Sequence, residues 1–360
     1  MRRVHGKDRV ATVVLRRRGS YKNDNIPDNF EPRVEMTKTR IIGIALAVMC
    51  LAPLAAAPAS ADGLGRFEKS IKAQIPPGVM TYKNAKTLGD NGFVLEDVVV
   101  TPPPTDKAAD KDNKTPPQPI NIKTITVEDL DFDAIEKQQP PLYAKLRIEG
   151  IATGSNPGGA FDLKQLAGLD KLTADFNLDY RLVPDKQTFT LNKMELSLTG
   201  LARLETSMVL DGVNPDVAAK PNSAMDNAAL RTANVVYDDH SLLAKALPIV
   251  AAMQGSDPKA LIAMATLMLD GQRAGQSLTT QKDIDTLVAF IEDYQKPKGP
   301  LKVALNPPDK VTNAQLADAK TADDYVKLLG IDISYAGTRS SKPMDVPPAT
   351  APDDKDNNKK

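Results

Sequence analysis

The chain has few of the residues that support metal, thiol or stacking chemistry. Its 360 residues include one cysteine, two histidines and no tryptophan, and only 4% of them are aromatic. A single cysteine cannot form an intramolecular disulfide, and zinc sites of the usual kind need several cysteine and histidine ligands. The few aromatic side chains leave little for stacking on bases or sugar rings. The composition therefore argues against a disulfide framework, a structural zinc site and a stacking platform.

Motifs that mark nucleotide binding or nucleophilic catalysis are also missing. Neither Gly-x-Gly-x-x-Gly nor a P-loop occurs, and there is no Gly-x-Ser-x-Gly nucleophile elbow. The acidic pairs lack the calcium-loop pattern, in which ligands recur at every second residue around a central glycine. We therefore expect no cofactor and no bound metal, and we expect a binding role rather than an enzymatic one.

Residues 36–61 have the three parts of a secretory signal peptide. Met36–Arg40 supplies two positive charges, an apolar run extends from Ile41 to Leu54, and Ala59-Ser-Ala61 is an Ala-x-Ala cleavage site. We predict cleavage between Ala61 and Asp62. The mature protein is then periplasmic or secreted.

The signal peptide divides the chain into parts with different expected fates. Residues 1–35 are polar and basic, so we interpret them as a disordered, non-native upstream extension with the biological start at Met36. An unusually long basic n-region is the alternative. Pro53 and Pro58 interrupt an apolar run that is shorter than the about 20 residues of a bilayer span, so we expect no permanent membrane span after cleavage. Cys50 lies in this run, which makes the mature chain cysteine-free.

The charge of the mature chain argues against nucleic acid as a partner. Of the 46 basic and 46 acidic side chains, residues 1–61 hold 11 and 5, which leaves 35 and 41 in the remaining 299 residues. Nucleic-acid phosphates are bound by clustered lysine and arginine, and a modestly acidic chain without a basic stripe does not provide them.

The hydrophobic pattern predicts one exported α+β domain over residues 62–336. Apolar and polar residues alternate through a β-rich part, 120–238, most regularly from Leu172 to Leu182. Helical spacing dominates residues 241–336. We predict a long twisted antiparallel sheet, with one buried and one solvated face, and C-terminal helices packed on one face or end. Two segments rich in proline, lysine and aspartate are expected to be disordered, namely a loop at 102–119 and a tail at 337–360.

Capping residues place three of the C-terminal helices. Asp257 followed by Pro258 predicts one helix start, and Thr321–Asp324 predicts another. Thr280–Asp283 resembles a capping box with aspartate in place of glutamate, so we expect a helix to begin there.

His240 is the one histidine of the mature chain and the weak catalytic candidate. It lies in Tyr237-Asp-Asp-His-Ser241, and a histidine beside acids and a serine is compatible with a secreted hydrolase. Adjacent residues of a strand point to opposite faces, however, so these side chains need not converge. The competing interpretation is that Asp238, Asp239 or Ser241 caps a helix that begins near Leu242. For the acidic run from Glu128 to Asp133, we favour a polar outer strand face over a pair of catalytic carboxylates.

Apolar helix surface is the remaining functional signal. Two helical segments, 257–270 and 284–294, are rich in leucine, isoleucine and methionine. They predict either helix faces that pack as core or a hydrophobic groove for a lipid or an apolar partner. The groove candidates are Leu261, Met264, Met268, Ile284, Leu287 and Ile291.

Four segments carry a resemblance to other proteins, namely Ala174–Tyr180, Leu196–Leu201, Val236–Leu242 and the stretch from Pro300 to Gly330. Through them about two thirds of the mature chain resembles a group of uncharacterised exported proteins of Gram-negative bacteria. This resemblance implies a periplasmic setting and a domain of unknown function, and it carries no active site with it.

These observations lead to three functional hypotheses. The first is an exported, non-enzymatic envelope protein that binds or scaffolds, with a hydrophobic ligand or a membrane-biogenesis partner. The second is a secreted hydrolase that uses His240 with a neighbouring acid or serine. The third is a purely structural protein–protein interaction module.

Overall fold

The computed structural model describes residues 62–101, 119–153, 172–214, 228–311 and 313–343. Within these ranges, eleven strands form a single open antiparallel sheet, and seven α-helices, most of them C-terminal, accompany it. The predicted α+β class with a long antiparallel sheet is confirmed. The upstream extension, the signal peptide, residues 102–118 of the expected loop and residues 344–360 lie outside the described ranges.

The strands follow one another as a meander, so that neighbours in the chain are neighbours in the sheet from β3 to β11. Both β1 and β2 pair with the outer side of β3. The longest strands have 11 residues, which corresponds to about 36 Å of extended chain. The strands are β1 Met80–Thr81, β2 Asn84–Leu88, β3 Gly92–Val100, β4 Ile120–Leu130, β5 Tyr143–Thr153, β6 Thr173–Val183, β7 Thr188–Leu198, β8 Ala202–Asp211, β9 Ala229–Asp239, β10 Leu301–Leu305 and β11 Ile331–Ser334.

The helices gather after the ninth strand, apart from two near the N-terminus. Among those described, none is long and apolar enough to cross a bilayer. Short 3₁₀ turns lie at Lys72–Gln74 and Pro184–Lys186. The α-helices are α1 Gly63–Ser70, α2 Phe132–Glu136, α3 Leu242–Met253, α4 Pro258–Arg273, α5 Leu278–Glu292, α6 Asn313–Asp318 and α7 Ala322–Leu329.

The strand register collects the apolar side chains on one face of the sheet. One continuous row runs across five strands through the paired residues Phe176, Leu196, Leu204, Tyr237 and Leu301. Because successive side chains of a strand point to opposite faces, the polar and charged neighbours of this row lie on the other face. The alternation that predicts an amphipathic sheet therefore has its direct counterpart in the pairing.

The N-terminal end of the apolar face is sealed by α1 and α2. Phe67 of α1 stacks on Phe93 of β3 with ring centroids 4.4 Å apart, and Phe132 of α2 lies 6.4 Å from the same ring. Leu95 and Leu130, on β3 and β4, have exposed fractions of 0% and 1%. This end of the sheet is a closed hydrophobic core.

Helix α5 packs near the other end of the sheet, against β9 and β11. Phe290 meets Tyr237 of β9 and Tyr335 edge to face, at centroid distances of 5.9 and 5.3 Å. Ile284 and Val288 of the same helix are buried. The sheet therefore has packed helices near both of its ends.

Two of the three predicted helix starts are confirmed and one is wrong. Asp257 Oδ1 accepts the Ala260 amide at 2.9 Å, and Thr321 forms a complete capping box. The Thr280–Asp283 box does not exist, because α5 begins at Leu278 with Ser277 as its N-cap. The side chain of Thr280 is buried within the first turn, and that of Asp283 is engaged elsewhere.

Residues 337–343, which the sequence assigns to the tail, are held against α4 and α5. Arg339 pairs with Asp270 at 2.7 Å and with Asp285 at 2.8 Å, and its side chain is only 7% exposed. Glu292 accepts the amide of Ser340 at 2.6 Å. Residues 337–343 are therefore packed on the helices, in contrast to the disorder expected of them.

Candidate functional site

His240 lies at the end of β9 with an exposed side chain. Its main-chain amide donates to Leu201 O at 2.8 Å, and Ser241 Oγ donates to Gly200 O at 3.0 Å. Asp239 is buried and accepts the Leu243 amide at 3.1 Å, at the start of α3. The capping interpretation is thus confirmed for Asp239. The hydroxyl of Ser241 is already hydrogen-bonded to the carbonyl of Gly200.

Tyr237 also binds Asp239, at the corner where β9 joins α3. Its hydroxyl donates to Asp239 Oδ2 at 2.6 Å. Burial raises the pKa of Tyr237 first, and the hydrogen bond to Asp239 and the charge of that residue raise it further. The phenol therefore stays protonated and donating at neutral pH. Asp239 thus stabilises a strand end and a helix start. Within the described residues, the His240 ring makes no hydrogen bond to Asp239 or Ser241.

The acidic run on β4 and at the start of α2 is fully engaged. No described group of three or more histidine, cysteine, aspartate or glutamate residues is arranged to hold a metal ion. Each carboxylate of the run has its own cationic or main-chain partner, which agrees with the polar-face interpretation. The pairs are Glu128 with Lys145 at 2.5 Å, Asp129 with Arg181 at 3.7 Å, Asp131 with the Ala134 amide at 3.1 Å, and Asp133 with Arg66.

The six groove candidates do not form one exposed surface. Ile284 is 6% exposed and belongs to the core, whereas Met264 and Met268 are 54% and 67% exposed. The other three are half-buried, namely Leu261, Leu287 and Ile291. Helix α4 thus presents its methionines to solvent, while α5 turns much of its apolar face inward, as the core interpretation predicts.

Five exposed apolar side chains of α3 to α5, the two methionines among them, are together called the helical apolar surface. Its members are large apolar side chains on the last residue of α3, on α4 and on the first residue of α5, and each is about half exposed or more. They are Met253, Met264, Leu267, Met268 and Leu278. Sequence reasoning missed three of them. The signal that points to them is the uncharged run from Ala260 to Leu269, which is longer than one buried helix face needs.

A second unsealed apolar region lies in the middle of the sheet, on β6 to β8. Its side chains share the apolar face through the register, and we call them the central apolar face. Leu204 is 39% exposed and the other members are half-buried, in contrast to Leu95 at 0%. The members are Leu178, Met194, Leu196, Leu204, Met208 and Leu210.

A cleft of about 340 Å³ lies between α5 and the segment around Arg339. Its charged lining includes Arg273, Lys282, Asp285 and Arg339. Arg273 and Arg339 both pair with Asp285, at 3.2 and 2.8 Å. These ion pairs, together with that of Arg339 to Asp270, join the segment around Arg339 to α4 and α5.

Part of the chain matches a protein family. Residues 195–336 match the model of a protein family described as "Uncharacterized protein". This span begins within β7 and contains the later strands together with α3 to α7. No curated protein matches the chain. The expectation of an uncharacterised domain is confirmed for this part of the chain.

Proposed function

We propose that the protein is a non-catalytic binding protein of the cell envelope that holds an apolar ligand, such as an acyl chain, on the central apolar face. The observation that carries this proposal is the contrast along one sheet face. The N-terminal end is closed over Leu95 and Leu130, whereas the apolar side chains of β6 to β8 keep contact with water.

The physical argument concerns the cost of this exposure. Apolar surface in water costs about 25 cal/mol per Å², so a neighbouring set of half-exposed leucine and methionine side chains favours a ligand that covers it. Met194 and Met208 add adaptable, polarizable contacts, which suit a flexible chain. Leu204 of β8 is paired directly with Leu196 of β7, so the two side chains lie side by side beneath the proposed ligand.

The location in the envelope rests on the sequence. Residues 36–61 have the anatomy of a signal peptide, and the resemblance to exported proteins of Gram-negative bacteria agrees with it. An exported protein with apolar binding surface has lipids and lipid-modified molecules within reach. We therefore place the expected ligand in that class.

The test is a titration of the delipidated, refolded protein with a fluorescent acyl probe. We expect saturable binding, and we expect Leu204→Gln to weaken it several-fold. Leu88→Gln is the matched control, because Leu88 on β2 is 40% exposed and Leu204 is 39% exposed. Absence of saturable binding, or equal effects of the two substitutions, contradicts the proposal.

A further inference from the structure

The helical apolar surface is separate from the central apolar face, and we infer that it seats on an anionic lipid bilayer with α4 lying in the plane of the membrane. The inference does not depend on the central apolar face holding a ligand. It rests on the apolar exposure of α3 to α5 and on the charges that surround it.

Three of the exposed apolar side chains lie in the middle of α4, and one lies on each neighbouring helix. Met264, Leu267 and Met268 are spaced by three and four residues, which places them on one face of the helix. Met253 ends α3 four residues before the Asp257 cap, and Leu278 begins α5 five residues after α4 ends. Met253 is 65% and Leu278 84% exposed. Apolar surface is therefore exposed near both ends of the helix as well as along it.

The charges around this surface favour an anionic partner. No charged residue occurs from Ala260 to Leu269. Three lysines of the same helices are exposed and make no ion pair within the described residues. They are Lys245 on α3, Lys259 at the start of α4 and Lys282 on α5.

Three acidic side chains of the same region have partners of their own. Asp270 and Asp285 pair with Arg339, and Asp257 accepts the Ala260 amide as a helix cap. The three lysines therefore place unpaired positive charge on the same helices as the apolar side chains. A lipid surface with anionic headgroups is complementary to both features, because it offers hydrocarbon to the apolar side chains and phosphate to the lysines.

The length of α4 decides between lying on the membrane and crossing it. Its 16 residues span about 24 Å, whereas a bilayer span needs about 20 apolar residues. The exposed apolar residues also form one face of α4 and not its whole circumference. An amphipathic helix of this kind inserts one face at the boundary of headgroups and acyl chains.

The experiment is co-sedimentation with vesicles, with the chain from Asp62 onward, which contains every element that the structure describes. The vesicles contain phosphatidylcholine with phosphatidylglycerol, or phosphatidylcholine alone. We expect binding to the anionic vesicles and much weaker binding to the neutral ones. Replacement of Lys245, Lys259 and Lys282 by glutamine should weaken binding to the anionic vesicles by about fivefold per lysine.

The control for charge replaces Lys137, Lys186 and Lys310, which are exposed elsewhere, by glutamine. It changes the net charge equally and should leave binding unchanged. Met264→Glu with Met268→Glu should abolish binding and preserve the melting temperature, because both side chains are exposed. Failure to bind anionic vesicles overturns the inference, as do equal effects of the two lysine sets. A dimer that the double glutamate variant converts to a monomer also overturns it, since a second copy then covers this surface. None of these outcomes bears on the acyl-probe titration.

Discussion

Asp283 of α5 accepts the main-chain amide proton of Ile333 of β11 at 3.3 Å. Strand β11 is the last strand of the sheet, so its outer edge carries amides without a strand partner. Exposed edges of this kind pair with other chains, and a covering helix or an inward carboxylate prevents that. Both protections are present here. Helix α5 packs against β11, and the Asp283 carboxylate accepts one of the edge amides.

The position of Asp283 gives a pH-dependent stability. Its side chain is buried, and its Oδ2 atom has no hydrogen-bond partner within the described residues. Burial raises its pKa above the ordinary value of 3.8; the charge of Asp332 adds to the rise, while the Ile333 amide and Lys282 oppose it. The stability that Asp283 contributes is therefore complete below its unfolded pKa and is lost as the pH rises through its folded pKa.

We predict that Asp283→Asn becomes progressively more stable than the parent protein as the pH rises from about 4 to about 7. Asparagine keeps an acceptor for Ile333 and carries no charge. Asp283→Ala should instead lower the free energy of unfolding by about 1–3 kcal/mol, because a buried amide loses its acceptor. Urea unfolding at several pH values measures both effects. Asp309→Asn, in an exposed loop, is the control, and parallel pH profiles for the parent and Asp283→Asn would count against the prediction.

Asp283 also shows where sequence reasoning stops. The spacing of Thr280 and Asp283 fits a capping box, but Ser277 takes that role because it contacts Asp323 of α7 at 2.8 Å. Asp323 is 46 residues away along the chain, so no local pattern reports the contact. By contrast, Asp257 and Thr321 cap their helices through residues three positions later, and the sequence predicts both. Helix caps that involve neighbouring residues can be predicted from the sequence. Polar contacts between residues far apart in the chain cannot.

The sheet could largely be predicted from the sequence, whereas the exposure of the apolar surfaces could not. Period-two alternation from Leu172 to Leu182 predicts β6 directly, and short turns join β6 to β7 and β7 to β8. The short strands β1 and β2 have weak alternation and were missed. Which parts of an apolar face are sealed depends on where distant helices pack. For this reason the sequence named Ile284 and Met264 as members of one groove although one is buried and the other exposed.

Arg339 should be necessary for the packing of α4 and α5. Its guanidinium makes two hydrogen bonds to Asp270 and one to Asp285, all between 2.7 and 2.8 Å, and Asp270 is 3% exposed. Arg339→Ala removes one partner of a buried ion pair, which costs about 3–5 kcal/mol. Arg339→Lys should recover only part of this, because an ammonium cannot form the two-pronged contact.

Denaturant unfolding of truncated chains tests the same contact independently. A chain that ends at Ala336 should lose stability as Arg339→Ala does, whereas a chain that ends at Lys342 keeps Arg339 and Ser341 and should stay close to the parent. Equal stability of the two truncated chains would show that the segment around Arg339 is dispensable.

Leucine truncations should separate the sealed and unsealed parts of the sheet. Leu95→Ala opens a cavity in a closed core and should cost about 3–5 kcal/mol. Leu196→Ala removes a side chain that is already half solvated, and we expect a cost of about 1–2 kcal/mol, because less surface returns to water. Both costs are read from urea denaturation with a common m-value. Costs of equal size would mean that the central apolar face is covered in solution, and the proposed ligand would lose its site.

Substitutions of the adjacent residues Asp239 and His240 should differ strongly in their effect on stability. His240→Ala should change the free energy of unfolding by less than about 0.5 kcal/mol, because the side chain is exposed and its recorded hydrogen bond comes from the main chain. Asp239→Ala should cost about 2–4 kcal/mol, since the Leu243 amide and the Tyr237 hydroxyl both lose their acceptor. Thermal and urea unfolding of the two variants test this directly.

The hydrolase hypothesis makes a different prediction for the same two variants. It requires ester or amide hydrolysis by the parent protein that His240→Ala abolishes while the fold remains intact. Hydrolysis lost only in Asp239→Ala would instead report the collapse of the corner that joins β9 to α3.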